Sequence, residues 1–483
     1  MKLEALMNGI SFECVCGDMT QEIDHIIYDS RIKTKSGLFI AIEGFKTDGH
    51  QFIQKAVENG AKALLVQKDI TCDVEGITVL KTANTRSAMA QIANNAYERP
   101  SEQFELVGVT GTNGKTSITF LLGQILEAYG KKIGIIGTIE NRIGDCILKA
   151  ERTTPESVDL QALFKKMVES QVDCTLMEVS SHALDLNRVD GSNFEVGIFT
   201  NLTQDHLDFH HTMENYAKAK AKLFTKCKVG IINTDSDYVD LICKDATCKL
   251  LTYGVDHEAD YHATNIHIHA GGVAYTLMCP QGTFEVKVPI PGKFTVYNTL
   301  AVIAAASNLN IPMTHIIETL ENVKGVPGRV QSFSSIQGYS VLVDYAHTPD
   351  GLENVLATIK EFVKGRVITV FGCGGDRDKT KRPIMGAIAA KYSDEVIITS
   401  DNPRTENPLQ ILDEVEVGVK DQGVAYIKIE DRKEAILTAL RKAQKDDVVL
   451  IAGKGHENYQ ILKDRIIHFD DSEIVNAYLQ GEI

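Results

Sequence analysis

The residues best equipped for chemistry stand in one short run, Thr110-Gly111-Thr112-Asn113-Gly114-Lys115-Thr116-Ser117. A glycine-rich turn that opens onto a helix aims backbone N–H groups at an anion, and the helix dipole adds to their pull. Lys115 is then placed to reach terminal phosphates, and the Thr116 hydroxyl to ligate Mg²⁺. Val109 stands where a phosphate loop usually carries its first glycine. The plainer alternative is a tight turn before a surface helix. The complete Gly-Lys-Thr ending argues instead for a nucleoside triphosphate.

Mg²⁺ on a triphosphate wants hard oxygen ligands and keeps several waters. Thr116 and Glu178 suit it, directly or through water. His206 is a candidate for a second metal or for orienting phosphate. A single histidine after a strand is usually a cap or a core residue, but here Asp205 and Asp208 flank it. Towards the C-terminus stand Arg377 and Arg404, with Asp401 and Glu457 as opposite charges, all in Gly- or Pro-containing turns. Guanidinium groups suit carboxylates, and carboxylates suit ammonium groups. Such a set fits a zwitterion with more than one carboxylate. Together these residues imply an ATP-dependent enzyme joining an anionic substrate to an amino acid.

Placing them requires strands that end in loops. Apolar runs predict strands at 104–109, 132–136, 174–179, 196–200 and 229–233, with a helix continuing over 118–129. The phosphate loop follows the first strand, Glu178 to His182 ends the third, and Asn201 to His206 follows the fourth. Ligands of open parallel sheets bind outside such carboxyl ends. From about Val330 the pattern repeats, with strands at 340–343, 367–371, 396–399 and 448–451, each leading into a polar loop. This second doubly wound sheet carries the arginines. Before Pro100, short strands (37–42, 63–66) mix with helical stretches such as 48–59, and Arg99-Pro100-Ser101 marks a boundary.

A chain of 483 residues exceeds one core, and about three domains are expected. The formal charge of −15 disfavours nucleic acid and anionic membranes. Residues 1–16 lack a cationic segment followed by an apolar core, and no apolar run is long enough to span a bilayer. Ten cysteines without metal-type spacing are expected to be free thiols, and the setting cytoplasmic.

The run 110–116 closely resembles the phosphate loop of the Mur ligases, ATP-dependent amide-forming enzymes of peptidoglycan precursor synthesis. Glu178-Val-Ser-Ser-His182, Asn201-Leu-Thr-Gln-Asp-His206-Leu-Asp208, Tyr297-Asn298, Gly325-Val-Pro-Gly-Arg329 and Asp344-Tyr-Ala-His347 follow in family order. The resemblance implies an α/β fold of three domains: a UDP-binding domain (1–99), a central phosphate-loop ATPase domain with a parallel sheet (100–329) and a Rossmann-like domain (330–483). Tyr28-Asp29-Ser30-Arg31 and the stretch from Gly44 to His50 resemble the members that add the third peptide residue. Asp401-Asn402-Pro403-Arg404 resembles the signature of those taking meso-diaminopimelate. That amino acid differs from lysine by a distal carboxylate, which Arg404 would pair.

The implied substrates are UDP-N-acetylmuramoyl-L-alanyl-D-glutamate, meso-diaminopimelate and ATP, joined at the D-glutamyl γ-carboxylate through an acyl phosphate. Carried over residue by residue, Thr110 to Ser117, Asn298, Arg329 and Asp344 contact ATP, with Asp344 at the ribose. Ser30, Thr153, Thr154, Ser180 and Arg188 contact the muramoyl dipeptide. Arg377, Asp401, Asn402, Pro403, Arg404, Gly453 and Glu457 contact diaminopimelate. Lys115, Glu178, His206, Arg329 and Lys220 serve catalysis, Lys220 as a carbamate formed with CO₂ that bridges to Mg²⁺. Sequence physics alone leaves Lys218 and Lys222 open beside Lys220. A monomer and closure of the last domain are expected. Rivals are the lysine-adding ligase, a folylpolyglutamate-synthetase-like ligase, and a nucleotide-dependent switch without an amine acceptor.

Overall fold

The computed structural model describes residues 1–44, 47–70, 76–269, 271–326, 328 and 330–483. They form two compact units, Met1–Ala259 with Ala304–Ile311, and Asp260–Ile303 with Pro312–Ile483.

The first unit opens with strands β1 (Glu13–Cys16), β2 (His25–Ile27), β3 (Gly37–Ile40), β4 (Ala61–Val66) and β5 (Thr78–Lys81). Their sheet order is β1-β5-β4-β3-β2, parallel except for the β1 edge. Side chains alternate across a strand. Leu38 and Ile40 therefore join Leu3, Met89 and Ile92 on one face, while Phe39 and Ala41 join Ala56 and Val66 on the other. The helical stretch expected over 48–59 divides into a 3₁₀ turn, Gly49–Phe52, and an α-helix, Ile53–Glu58.

Eight more strands follow: β6 (Glu105–Thr110), β7 (Ile133–Ile136), β8 (Asn141–Ile143), β9 (Cys146–Leu148), β10 (Cys174–Glu178), β11 (Phe194–Phe199), β12 (Cys227–Asn233) and β13 (Lys249–Gly254). They run in the order β13-β12-β11-β6-β10-β7-β8-β9. β6 pairs in parallel with β10 on one side and β11 on the other. Adjacent strands lie about 4.8 Å apart, so the loops leaving all three tips sit side by side.

The second unit begins with an antiparallel meander, β14 (Tyr261–His269), β15 (Gly272–Cys279) and β16 (Gly282–Val288), which the pattern of apolar residues did not announce. Its main sheet comprises β17 (Gln331–Ser334), β18 (Ser340–Asp344), β19 (Val367–Phe371), β20 (Glu395–Ile398), β21 (Ala425–Lys428) and β22 (Val448–Ala452). The order is β17-β18-β22-β19-β20-β21, parallel but for β17. Helices Pro349–Phe362, Lys381–Tyr392 and Pro408–Val419 bury Leu356, Met385 and Leu412 against one face. Arg432–Lys442 and Asp471–Leu479 bury Ile436 and Val475 against the other. The expected double winding is present. A hairpin, β23 (Tyr459–Ile461) and β24 (Ile466–His468), follows β22.

Among the described residues eight cysteines are free thiols, whereas Cys16 is disulfide-bonded. The all-thiol expectation fails there because spacing reveals only close pairs. Among the described residues no helix is long and apolar enough to cross a membrane.

Candidate active site

The helix after β6 starts at Lys115, earlier than its apolar spacing suggested, with Gly114 as N-cap at φ +88°. Lys115 and Thr116 thus occupy its first turn. At Gly111 (φ +152°) a Cβ would lie 1.8 Å from Thr200 Oγ1, so only glycine lets the loop pass the β11 tip. That tip straps the loop down. Thr112 N donates to Asn201 O (3.0 Å), Asn113 N to Asn201 Oδ1 (2.9 Å), and Thr200 Oγ1 to Asn113 O (2.6 Å).

Two ammonium groups converge on one carbonyl of this loop. Lys115 Nζ donates to Gly111 O at 2.9 Å and to Thr112 O at 2.9 Å, while Lys220 Nζ donates to Gly111 O at 2.8 Å. Lys220 is 1% exposed and lies 4.5 Å from the Tyr216 ring centroid. Burial, and then the charge of Lys115, push its pKa well below the usual lysine value. Lys218 instead pairs with Glu214 and Lys222 with Asp185, both at exposed positions, so geometry separates three lysines that the sequence left equivalent.

Glu178 ends β10 almost fully buried. Its Oε1 accepts from Thr116 Oγ1 (3.0 Å) and Thr138 N (2.9 Å), and its Oε2 from Thr138 Oγ1 (3.0 Å). Thr138 was missed, although its place just beyond the β7 tip was a usable signal. Hard oxygens from Thr116 and Glu178 make a donor pair of the type Mg²⁺ takes together with phosphate oxygens and water. His206 has φ +53° and lies edge-on to His182, with ring centroids 4.9 Å apart. Burial is the largest cause lowering its pKa, which favours the neutral, lone-pair-bearing ring that a metal needs. No group of three or more His, Cys, Asp or Glu side chains able to hold a metal occurs among the described residues. His206 and Glu178 therefore do not form one ligand cluster with a third such residue.

Thr153, Thr154, Ser180 and Arg188 do gather beside Glu178. Thr153 Oγ1 meets Thr138 Oγ1 at 3.0 Å, and Thr154 Oγ1 donates to Glu178 O at 2.8 Å and accepts from Ser180 N at 3.1 Å. Arg188 Nη1 donates to Thr154 O at 3.1 Å. Ser180 caps the helix Ser181–Asp185. Ser30 belongs to the N-terminal sheet instead, buried beyond the β2 tip with its carbonyl accepting from Asn59 Nδ2 at 2.7 Å.

In the second unit the turn 401–404 follows β20. Asn402 is its hub: Nδ2 donates to Glu457 Oε2 (2.8 Å), while Oδ1 accepts from Lys454 Nζ (3.1 Å) and Ile461 N (2.9 Å). Lys454, fully buried, also donates to Glu457 Oε2 (3.2 Å) and Tyr459 O (2.6 Å). The sequence singled out its neighbours and gave Lys454 no role. The side-chain partners of Arg404 are backbone carbonyls, Gly375 O at 2.8 Å and Asn402 O at 3.5 Å. A Cβ on Gly375 would sit 1.9 Å from Pro403 O, so that glycine permits the two loops to touch. Gly453 closes against Asp401, whose carboxylate turns inward to Asn402 N (2.6 Å). Arg377 is exposed, and its Nη1 donates to Asp376 O (3.2 Å). Asp344 is buried at the β18 tip, its oxygens accepting from Val330 N (2.8 Å) and Ala346 N (2.7 Å). Asn298 is buried on the helix Lys293–Asn308. Arg329 lies outside the described residues.

Three family models match the chain: the Mur ligase family catalytic domain over 22–103, the Mur ligase middle domain over 109–306, and the Mur ligase glutamate ligase domain over 328–455. UDP-N-acetylmuramoyl-L-alanyl-D-glutamate--2,6-diaminopimelate ligase 1 of Clostridium acetobutylicum is 50% identical, with 99% of each chain covered. The enzyme of that name from Clostridioides difficile is 49% identical, again with 99% of each covered. A solved structure of UDP-N-acetylmuramoyl-L-alanyl-D-glutamate--2,6-diaminopimelate ligase superposes with a TM-score of 0.74 at 32% identity, covering 100% of this chain and 99% of that one.

Proposed function

The chain belongs to the Mur ligase family, and we propose that it adds meso-diaminopimelate to the D-glutamate γ-carboxylate of UDP-N-acetylmuramoyl-L-alanyl-D-glutamate at the expense of ATP. The observation that carries the choice of amino acid is the turn 401–404. Arg404, whose side chain hydrogen-bonds to backbone carbonyls, keeps a guanidinium for a distal carboxylate, while Glu457 and Asn402 suit an ammonium group and its neighbouring carboxylate. Lysine offers nothing to that guanidinium.

A carboxylate is a poor electrophile, so the γ-carboxylate is first phosphorylated and the amine then attacks the acyl phosphate, expelling phosphate. Residues 110–117 hold the triphosphate, with Lys115 leaving its carbonyls to meet phosphate oxygens. Thr116 and Glu178 would hold Mg²⁺, which would supply charge neutralisation at the transferring phosphoryl group. Thr138 fixes the Glu178 carboxylate in place before substrate arrives. Asn298, Arg329 and Asp344 are assigned to the nucleotide, and Arg377 and Gly453 to diaminopimelate. His206 is assigned to a second metal. Thr153, Thr154, Ser180 and Arg188 hold the dipeptide, and Ser30 the UDP end.

Lys220 is assigned as a carbamate. Its amine is pushed towards the neutral form, the form that attacks CO₂, and a negative group there would replace repulsion of Lys115 by attraction. Activity should fall when CO₂ and bicarbonate are stripped and return when bicarbonate is added; indifference would remove the carbamate from the account. The domains divide at residues 99/100 and 329/330. Small-molecule substrates are the only partners in this reading, with a cytoplasmic monomer as its setting. ADP release measured with diaminopimelate, lysine and glutamate in turn tests the whole: only diaminopimelate should stimulate it strongly.

A further inference from the structure

Unmet polar atoms collect beside Thr154. Glu156 is the N-cap of the helix Ser157–Glu169 and Arg86 sits in the first turn of Thr85–Ala96; Val158 from the former packs with Ala88 and Met89 from the latter. Three guanidiniums surround the single Glu156 carboxylate: Arg152 Nη1 at 2.8 Å and Arg188 Nη2 at 2.9 Å from Oε1, and Arg86 Nη1 at 3.7 Å from Oε2. The last contact is too long for a hydrogen bond. Arg86 Nη1, Arg188 Nε and Glu156 Oε2 are all buried without a hydrogen-bond partner. Asp159, one turn further, accepts from the Tyr28 hydroxyl at 2.5 Å. Burial first, and then the neighbouring guanidiniums, push Arg86 and Arg188 below the usual arginine value despite Glu156. One carboxylate thus serves three cations, and two cationic forks have bonds still to make.

We propose that Arg86 and Glu156 complete, with Arg188, a subsite for the non-reacting α-carboxylate of the acceptor's D-glutamyl residue. Glu156 holds the guanidiniums in position while the acceptor is absent, and Arg86 gains a properly placed carboxylate oxygen when it binds. The location fits. Arg188 reaches Thr154 O, and Thr154 Oγ1 reaches the backbone carbonyl of Glu178, so the cluster lies two hydrogen bonds from the main chain of the residue whose carboxylate is assigned to Mg²⁺. The α- and γ-carboxylates of one glutamyl residue are separated by only a few bonds. An acceptor whose γ-carboxylate is being phosphorylated beside Glu178 carries its α-carboxylate into this neighbourhood. Arg86 is then a determinant of specificity and Glu156 a positioning residue.

The inference rests on the ligase reading above, and its test is built to fail separately. The probe is the muramoyl dipeptide with its α-carboxylate converted to a carboxamide, its γ-carboxylate intact. Wild type should use this amide about tenfold or more less efficiently than the acid in kcat/KM. Arg86→Gln should lower kcat/KM for the acid about tenfold, leave the KM for ATP and diaminopimelate in place, and shrink the acid-over-amide preference below about threefold. Arg86→Lys should restore part of that preference, and it decides the matter if the glutamine variant does not fold. Equal use of acid and amide by wild type, or an equal loss on both in the variants, would overturn the subsite. So would weakened inhibition of Arg86→Gln by UDP alone, which would assign the arginine to the diphosphate. No product from wild type with the natural acceptor and diaminopimelate would instead overturn the ligase reading.

Discussion

The loop 110–117 and the turn 401–404 both leave the carboxyl tips of parallel strands, yet they hold charge in opposite ways. In the first, two amines, Lys115 and Lys220, fold onto the loop's own carbonyls, and a buried carboxylate, Glu178, is held by two hydroxyls and a backbone N–H. The result is a cradle for any triphosphate, built from backbone. In the second, a carboxylate and an amide are locked to each other and to a buried ammonium, while a guanidinium leans on a carbonyl. That pattern has a cationic end and an anionic end at fixed places. On the proposed assignment the difference teaches where generality and selectivity reside: backbone geometry reads phosphate, whereas side-chain charge order reads the amino acid.

Breaking the first region should be indiscriminate and severe. Glu178→Gln removes a carboxylate that Thr116 and Thr138 hold, and turnover should fall on the order of 10²-fold or more with every amine offered. Steady-state ADP release checks this; retention of more than a tenth of wild-type activity would contradict it. Breaking the second should be selective. Arg404→Ala should raise the KM for diaminopimelate roughly ten- to 150-fold, about 1.5–3 kcal/mol of lost interaction, with the KM for ATP unmoved. Equal turnover by the variant would sharpen the comparison differently, by transferring selectivity to Glu457.

The smallest expected effect concerns the scaffold under the first region. His210 is buried, its Nε2 lies 2.9 Å from Ser181 Oγ, and its ring stacks on Tyr216 at 4.9 Å. Burial, with His182 next, lowers its pKa from 6.5 to about 4. The unfolded chain therefore binds the proton that the folded one refuses. The stabilising contribution is whole above pH 6.5, and it is lost as pH falls towards 4. His210→Gln should flatten the decline of Tm across that window. His182 and His206, both also lowered, should keep part of the slope. An unchanged slope would assign it to other groups.

Most of the sheet framework was legible in the sequence, because buried parallel strands read as continuous apolar runs. Strands expected at 104–109 and 367–371 appear at Glu105–Thr110 and Val367–Phe371. The meander β14–β16 was not legible: His262, Thr264, Asn265, His267 and His269 dilute the apolar signal of β14 with polar residues on its open face. Nucleotide residues were legible because their spacing is itself the chemistry. Arg86 and Lys454 were not, since each acts on a residue far away in the chain, Glu156 from 86 and Asn402 from 454; Thr138 acts on Glu178 at similar remove, and only its place beyond the β7 tip hinted at it. Residue chemistry alone left Lys218 and Lys222 open beside Lys220, to which the resemblance pointed; the fold buries Lys220 while its neighbours at 218 and 222 pair at the surface.

The central claim is that this chain selects a doubly acidic amine for an acyl phosphate made at its own nucleotide loop. Its most direct test is the mass of the product formed from ATP, UDP-N-acetylmuramoyl-L-alanyl-D-glutamate and an equimolar mixture of diaminopimelate, lysine and glutamate. The account predicts a single adduct carrying diaminopimelate, with one ADP released per adduct. A lysine adduct, or ADP release that ignores the amine supplied, would contradict it.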